Sequence, residues 1–269
     1  MNYYHGTIIG NENFSEKYNQ EESNNRDGAC IYLTSDMSDA VANYASPYSN
    51  DNRAKICMLI DRGLINQTVM ECADYVFSKH SPKILTCSVK YNRPFVSSKK
   101  QIDESQPEYK NLRHSVSEFL VAKGIFHETN RALVEAINKK IYSKKTSQEI
   151  LNYLRFDAIN DALEVFPEIK NLMGRNTSFS PCLFNRFDAI IDRCAGDDWN
   201  VNEGVEHIII NDASRIKVSN VRIITPDEAL LLRNYHCQPA HPQKPPELFD
   251  CYKQFGWKKT NIQEPELGM

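Results

Sequence analysis

Three short stretches of the sequence decide its fold: Tyr4-His5-Gly6-Thr7, Cys30-Ile31-Tyr32-Leu33-Thr34 and Glu206-His207-Ile208-Ile209-Ile210. Each is rich in aromatic or β-branched residues, as is typical of short β-strands. Ser35-Asp36 directly follows the second stretch and can cap a helix. The apolar face of that helix would consist of Ala40, Val41, Tyr44 and Ala45. The second stretch therefore predicts a strand that turns directly into a helix.

The rest of the chain predicts further strands around a helical segment. Apolar runs indicate strands at residues 2–9, 54–60, 83–89, 187–191, 206–210 and 221–224. Arg93-Pro94 and the Ser/Lys-rich residues after it are expected to close the first block of strands. Between about residues 112 and 171 the apolar residues recur with the period of a helix instead. Thr225-Pro226-Asp227-Glu228 then predicts the start of a short helix, with proline in its first turn.

The composition is that of an ordinary globular protein. Hydrophobic residues make up 41% and charged residues 25% of the 269-residue chain, so extended disorder is not expected. No apolar run approaches the length of about 18 residues that a membrane-spanning helix needs, and no export signal is readable. The chain has 32 basic and 35 acidic residues and a formal net charge of -3. This balance argues against a global attraction to nucleic acid or to a membrane.

The eight cysteines are scattered along the chain and contain no Cys-x-x-Cys pair. Such spacing gives little support to a metal site. Most of the cysteines lie in apolar runs, where a free thiol behaves as a small buried hydrophobe. We therefore expect a reducing, cytoplasmic setting and no bound metal.

In this order, the three stretches resemble the nucleotide-binding core of the ADP-ribosyltransferases of the His-Tyr-Glu class, the class of diphtheria toxin and the poly(ADP-ribose) polymerases. That family shows a His-Gly-Ser/Thr strand, a Gly-x-Tyr-Phe-type strand before a helix that ends in Ala-Asn-Tyr, and a glutamate that opens a further strand. Here the helix carries Ala42-Asn43-Tyr44, and Ser214-Arg215-Ile216-Lys217 resembles a subgroup found in bacterial and phage polyvalent proteins. The resemblance covers roughly residues 1–98 and 185–233.

The resemblance implies an α+β fold, namely an ADP-ribosyltransferase-like split β-sheet core with a helical insert. Two small packed sheets would hold the cleft between them. The transferase domain would span residues 1–237, with the helical insert at about residues 112–175. Residues 238–269 would form a proline-rich linker and an aromatic tail, because a proline-rich run sustains neither helix nor sheet pairing.

The resemblance also implies that NAD+ is the substrate, and it assigns five residues to NAD+ binding. His5 would hydrogen-bond the nicotinamide ribose, and the backbone of Gly6 would hold the carboxamide, a close approach that a side chain would obstruct. Thr7 would support the turn. Tyr32 would offer a flat face to the nicotinamide ring, and Tyr44 could cover the other face.

Glu206 is the expected catalytic carboxylate, and His5 and Tyr32 are the other expected catalytic residues. The carboxylate would polarise the ribose 2′-hydroxyl and balance the positive charge that develops on the anomeric carbon as nicotinamide leaves. Glu203 is the next candidate. Alone, each of these residues also fits an ordinary role: a surface histidine, a half-buried strand tyrosine or a solvated glutamate. Their order and context together favour the site.

The implied reaction is cleavage of NAD+ with transfer of a single ADP-ribose to a macromolecule, protein or nucleic acid, without a metal. Two alternatives stay open: an NAD+ glycohydrolase that passes ADP-ribose to water, and a non-catalytic NAD-binding interaction module. The resemblance implies a bacterial toxin, effector or phage-conflict protein that acts in a cytoplasm, its own or that of a target cell, and not at a membrane. An antitoxin or immunity protein would be a fitting partner.

Two departures from the family pattern bear on the site. The segment from Tyr32 to Tyr44 is one residue longer than the most familiar polymerase pattern. Either Ala40 or Val41 would then take the place of that family's supporting serine. At Gly204, two residues before the candidate glutamate, arginine-modifying toxins of the clostridial class carry Gln or Glu. We therefore do not expect arginine as the acceptor by that route.

Residues 131–155 form a locally basic segment with six basic and two acidic side chains. Its basic residues are Arg131, Lys139, Lys140, Lys144, Lys145 and Arg155. Lysines near a polyanion gain binding free energy by counterion release, so this surface could guide RNA or DNA to the site. A solvated helix face is the alternative interpretation, and the rest of the insert could instead recognise a protein acceptor.

Overall fold

The computed structural model describes residues 2–7, 14, 27, 30–45, 83–103, 109, 112–173, 177–195, 204–225 and 228. The strand predicted at residues 54–60, Glu203, and the linker and tail at residues 238–269 lie outside the described residues. The same holds for most of the short helix predicted from Thr225.

Seven strands make up the described sheet. They are β1 Tyr3–Thr7, β2 Ile31–Thr34, β3 Lys83–Val89, β4 Pro94–Ser97, β5 Ala189–Asp192, β6 His207–Ile210 and β7 Ile216–Ile223. β4 corrects the expectation that Arg93-Pro94 closes the first block, because Pro94 begins a strand at the sheet edge, where a residue without a backbone N–H is tolerated. β7 begins at Ile216 instead of residue 221, since its first residues are partly exposed and lack an apolar run.

The helices are α1 Met37–Ala40, α2 Leu112–Ala122, α3 His127–Ile141, α4 Ser147–Asn152, α5 Ala158–Val165 and α6 Ile169–Met173. Two of them continue into π turns, α1 at Val41–Ala45 and α4 at Tyr153–Asp157. Helices α2 to α6 confirm the helical periodicity between residues 112 and 171. We call residues 112–173 the helical insert. None of the described helices combines the length and the apolar character needed to cross a membrane.

The sheet consists of two halves that meet at one residue pair. Its strand order is β4-β5-β6-β2-β1-β3-β7, which confirms a mixed α and β fold. Strands β1 and β2 are joined only by the pair Tyr4 and Thr34, whereas the other neighbouring strands share between three and seven pairs. The expected two packed sheets are therefore corrected to two halves of one sheet, which separate between β1 and β2.

Strand β6 is buried on both faces of this sheet. Ile209 packs with Phe95 in the apolar cluster that the helical insert forms against one face. Ile208 and Ile210 belong to a second cluster with Leu33 on the opposite face. Burial of each of these isoleucine side chains stabilises the folded state by about 1.5–3 kcal/mol. Burial on both faces explains the three consecutive isoleucines at residues 208–210 of β6.

Candidate active site

The candidate site begins where the two halves of the sheet separate. Beyond the pair of Tyr4 and Thr34, the imidazole of His5 bridges β1 and β2, with its Nδ1 2.8 Å from the backbone oxygen of Tyr32. A carbonyl oxygen can only accept a hydrogen bond, so Nδ1 carries the hydrogen and donates it. This contact fixes both the tautomer and the orientation of the imidazole.

Burial keeps His5 neutral. The side chain is almost fully buried, and desolvation lowers its pKa to about 4, although the hydrogen bond to Tyr32 acts in the opposite direction. The ring of Phe14 meets the imidazole edge-on at a centroid distance of 5.0 Å. The ring of Tyr44 lies nearly parallel to it at 6.4 Å. The separation between the strands is therefore lined by a neutral imidazole and aromatic rings.

A π turn brings Tyr44 to this position. The turn spans Val41–Ala45 and directly continues α1. A π turn closes i→i+5 hydrogen bonds and so contains one residue more than an α-helical turn. The additional residue between Tyr32 and Tyr44 coincides with this turn, which returns the tyrosine ring to His5.

Gly6 is required for packing of the helix against β1. A Cβ atom at this position would lie 2.0 Å from the backbone oxygen of Ala40 and 2.9 Å from the backbone nitrogen of Ala45. No side chain fits between the strand and the turn, because the close atoms belong to the backbone. The structure thus gives a packing reason for this glycine, where the sequence suggested ligand approach. The neighbouring Thr7 is buried.

Glu206 lies directly before β6 and is held at both its backbone and its carboxylate. Its backbone N–H donates to Oγ of Ser35 at 2.9 Å, and its carbonyl accepts from the N–H of Ser35 at 2.8 Å. Oε1 accepts from the hydroxyl of Tyr3 at 2.7 Å, and Oε2 accepts from Nε of Arg193 at 3.1 Å. The carboxylate side chain remains 14% exposed, so it is oriented without being closed off from solvent.

Tyr3 connects Glu206 to the strand that carries His5. Burial, together with the hydrogen bond to Glu206 and its negative charge, raises the pKa of Tyr3 well above its usual value, so the hydroxyl stays a donor. Tyr3 and His5 are two positions apart on β1 and therefore project to the same face. The structure thus brings Glu206, His5 and Tyr44 to one region of the molecule.

Tyr32 contributes its backbone to this region, while its side chain points towards the helical insert. The ring packs against the cluster formed by the insert and is half-buried. Its hydroxyl donates to Oδ2 of Asp27 at 2.7 Å. The flat face that the sequence assigned to nicotinamide is thus limited to the uncovered part of the ring.

A buried charged cluster holds the Tyr32 hydroxyl. We call it the Asp27 cluster, and it consists of Asp27, Tyr32, Arg155, Ser180 and Asp192. Arg155 donates through Nε and Nη2 to the two carboxylate oxygens of Asp27, each at 3.1 Å, and through Nη1 to Oδ2 of Asp192 at 2.5 Å. Burial alone would raise the pKa of Asp27, but the charge and hydrogen bonds of Arg155 hold it below its usual value. Sequence reasoning missed this cluster, because nothing local links Asp27 to an arginine 128 residues away.

Arg155 therefore does not belong to the basic surface predicted from the sequence. Lys139, Lys140 and Lys145 are exposed as expected. Lys144 is half-buried, and its Nζ lies 5.1 Å from the centroid of the Tyr153 ring. The basic surface thus retains its lysines and loses its last arginine to the interior.

A buried hydrogen-bonded pair holds α1 against β6. Nε2 of His207 lies 2.7 Å from Oδ2 of Asp39, and both side chains are buried. This pair fixes the helix that precedes Tyr44 relative to the strand that follows Glu206. A histidine within an apolar strand is the only sequence signal for it.

In the part of the chain that the structure describes, no three His, Cys, Asp or Glu side chains are grouped as metal ligands. Comparison of the chain with protein-family models, with curated proteins and with solved structures gave no match. The evidence for function therefore comes from the residues and their geometry.

Proposed function

We propose that the protein is an NAD+-dependent mono-ADP-ribosyltransferase that transfers ADP-ribose to a macromolecular acceptor. One observation carries the proposal: the three stretches that resemble the His-Tyr-Glu class form the adjacent strands β1 and β2 and the start of β6. His5 is hydrogen-bonded to Tyr32, and Glu206 is hydrogen-bonded to Tyr3, 203 residues away in sequence. Such an assembly of distant segments is not required by any one of the motifs alone.

The carboxylate of Glu206 suits the chemistry at the nicotinamide ribose. The bond between C1′ and the pyridine nitrogen breaks, the nitrogen keeps the electron pair, and nicotinamide leaves as a neutral molecule. An oriented carboxylate can accept a hydrogen bond from the ribose 2′-hydroxyl and balance the positive charge that develops at C1′. A nucleophile of the acceptor then bonds to C1′ and loses its proton. Glu206 is held for this role from β1 and from the end of β5.

The remaining site residues suit binding of the nicotinamide ribose. With the hydrogen on Nδ1, the Nε2 atom of His5 is an acceptor, which fits a ribose hydroxyl donor. Because the pKa of His5 is lowered to about 4, the imidazole adds no positive charge at neutral pH. It therefore does not repel the cationic nicotinamide ring. Tyr44 offers an aromatic face beside His5.

The exposed lysines of the helical insert support nucleic acid as one acceptor class. Lys139 and Lys140 lie in the last turn of α3, and Lys145 directly precedes the cap of α4. A protein acceptor remains the alternative. We propose that the protein is a toxin, effector or phage-conflict protein that acts in a cytoplasm.

The experiment that tests the proposal is incubation of the purified protein with labelled NAD+ and a cell lysate. We expect nicotinamide release together with label on a macromolecule, which nuclease or protease treatment then assigns to a class. Nicotinamide release without labelled macromolecule would favour the glycohydrolase. Binding of NAD+ without release would favour the non-catalytic module. Failure to bind NAD+ at all would contradict the proposal.

A further inference from the structure

The Asp27 cluster joins three separate parts of the chain. Asp27 precedes β2, Arg155 lies in the π turn Tyr153–Asp157 of the helical insert, and Asp192 ends β5. All three side chains are at most 2% exposed. Through this cluster the helical insert reaches the strand that carries Tyr32.

Each of the two carboxylate oxygens of Asp27 accepts two hydrogen bonds. Oδ1 accepts from Nε of Arg155 and from the hydroxyl of Ser180, and Oδ2 accepts from Nη2 of Arg155 and from the hydroxyl of Tyr32. The backbone N–H of Asp27 donates in turn to the hydroxyl oxygen of Tyr32 at 3.1 Å. Buried charges are costly unless every partner is in place, so a satisfied network of this kind favours one geometry. The hydroxyl of Tyr32 is part of that geometry.

The opposite end of Tyr32 belongs to the candidate site. Its backbone carbonyl accepts the hydrogen bond from Nδ1 of His5. The ring between these two ends is half-buried. Tyr32 is thus held by the helical insert at its hydroxyl and connected to His5 at its backbone.

We propose that Arg155 and Asp27 are positioning residues: they hold the side chain of Tyr32, whose backbone carbonyl orients His5 for NAD+ binding, so that the helical insert takes part in the site through buried contacts. This inference rests on the proposed function. An imidazole that is oriented before the ligand arrives needs less ordering on binding, so loss of this support weakens affinity. The effect falls on binding of NAD+ more than on the bond-breaking step, because Asp27 and Arg155 act through Tyr32 and His5 and not on Glu206.

The variant Tyr32→Phe tests this, because it removes the hydroxyl and keeps the ring. Tyr153→Phe is the matched control, since the Tyr153 hydroxyl also donates to a carboxylate at 2.7 Å, that of Asp161, entirely within the helical insert. We expect Tyr32→Phe to raise the dissociation constant and the KM for NAD+ about three- to tenfold, a larger change than the change in kcat. Tyr153→Phe should leave both constants at the wild-type values. Calorimetry and nicotinamide release measure them, and melting curves establish that both variants are folded.

A double variant separates positioning from general stability. If the Tyr32 hydroxyl acts through Asp27, the effects of Tyr32→Phe and Asp27→Asn should not add. The double variant should then have an NAD+ dissociation constant no higher than that of the single variant that binds NAD+ more weakly. Arg155→Lys keeps the charge but loses the two-pronged contact, and it should raise the KM as Tyr32→Phe does.

An unchanged NAD+ dissociation constant in folded Tyr32→Phe, beside an active wild type, would overturn this inference and leave the proposed function intact. If the wild type neither binds NAD+ nor releases nicotinamide, both are overturned.

Discussion

Glu206 and Asp27 are carboxylates held by the same kinds of groups in different surroundings. Each accepts a hydrogen bond of 2.7 Å from a tyrosine hydroxyl, Tyr3 for Glu206 and Tyr32 for Asp27. Both tyrosines lie on the strands that separate, β1 and β2. Hydrogen-bond chemistry alone therefore does not distinguish the proposed catalytic carboxylate from the structural one.

The arginine partners distinguish them. The side chain of Arg193, beside Glu206, is 59% exposed, and it makes one contact through Nε. The side chain of Arg155, beside Asp27, is only 2% exposed and contacts both carboxylate oxygens. An exposed partner can move aside for a substrate hydroxyl, whereas a buried two-pronged partner cannot leave without exposing an unpaired charge. Exposure of the arginine partner is therefore what separates the proposed catalytic carboxylate from one that stabilises the fold.

Removal of the two arginines should give the largest difference. Arg155→Met leaves Asp27 and a second buried carboxylate without their cation, so we expect a loss of about 3–5 kcal/mol in the free energy of unfolding. Arg193→Met should change it by no more than about 1 kcal/mol, because exposed pairs contribute little. Urea unfolding of both variants measures the difference. Equal losses would show that the exposure contrast has no energetic meaning.

The pH dependence of stability should separate the site from the Asp27 cluster. The pKa of His5 falls from 6.5 to about 4 in the folded protein. The unfolded chain therefore binds the proton first, and the stability present above pH 6.5 is lost as the pH falls towards 4. The loss reaches about 3 kcal/mol. The pKa of Asp27 is lowered from 3.8, so its contribution is kept above that value and lost only at lower pH.

Urea unfolding at pH 7 and pH 4.5 checks this window. His5→Asn keeps a donor for the Tyr32 carbonyl and has no imidazole to protonate. In this variant, the free energy of unfolding should fall much less between pH 7 and pH 4.5 than it does in the wild type. If it declines as steeply as the wild type, another group is responsible.

Tyr3→Phe should affect catalysis where Tyr32→Phe affects binding. Tyr3 orients Glu206, and loss of a hydrogen bond to a charged group costs about 1.5–3 kcal/mol. We expect kcat for nicotinamide release to fall about tenfold with little change in KM. Steady-state kinetics of the two phenylalanine variants side by side measure the contrast. The same pattern of kcat and KM in both variants would remove the distinction between the two carboxylates.

The smallest effect on nicotinamide release is expected from the lysines. Replacement of Lys139, Lys140 and Lys145 by Gln should leave nicotinamide release unchanged. It should reduce transfer of ADP-ribose only if the acceptor is nucleic acid. In that case the salt dependence of nucleic-acid binding should flatten by about 0.9 per lost contact on a duplex. Lys170→Gln, an exposed lysine on α6, is the control. Unchanged transfer, with the label resistant to nuclease, would assign the acceptor to protein.

The sequence predicted the strands of the site because their signals are local. β2 and β6 are short runs of apolar residues with an interpretable flank, so the segments that carry Tyr32 and Glu206 could be recognised one at a time. The sequence also showed one additional residue between Tyr32 and Tyr44, where the structure has a π turn. The conformation of this turn could not be predicted, because a π turn has no distinctive residue pattern.

The contacts that orient the site could not be predicted from local patterns. Arg155 looks like a solvated helix residue, and it is buried only because Asp27 and Asp192 arrive from distant segments. Gly6 looks like a ligand contact, although the backbone of Ala40 already excludes a side chain there. Pairings of this kind depend on the separation of elements in space, which periodicity does not encode.

The most direct test of the account is the rate of nicotinamide release from NAD+ by Glu206→Gln. Glu118→Gln is the matched control, because Glu118 is also paired with an arginine, Arg186, but lies on the helical insert. We expect Glu206→Gln to lower the rate by about 10²–10³, while Glu118→Gln and the wild type release nicotinamide equally. A folded Glu206→Gln that releases nicotinamide at the wild-type rate, or a wild type that releases none, would contradict it.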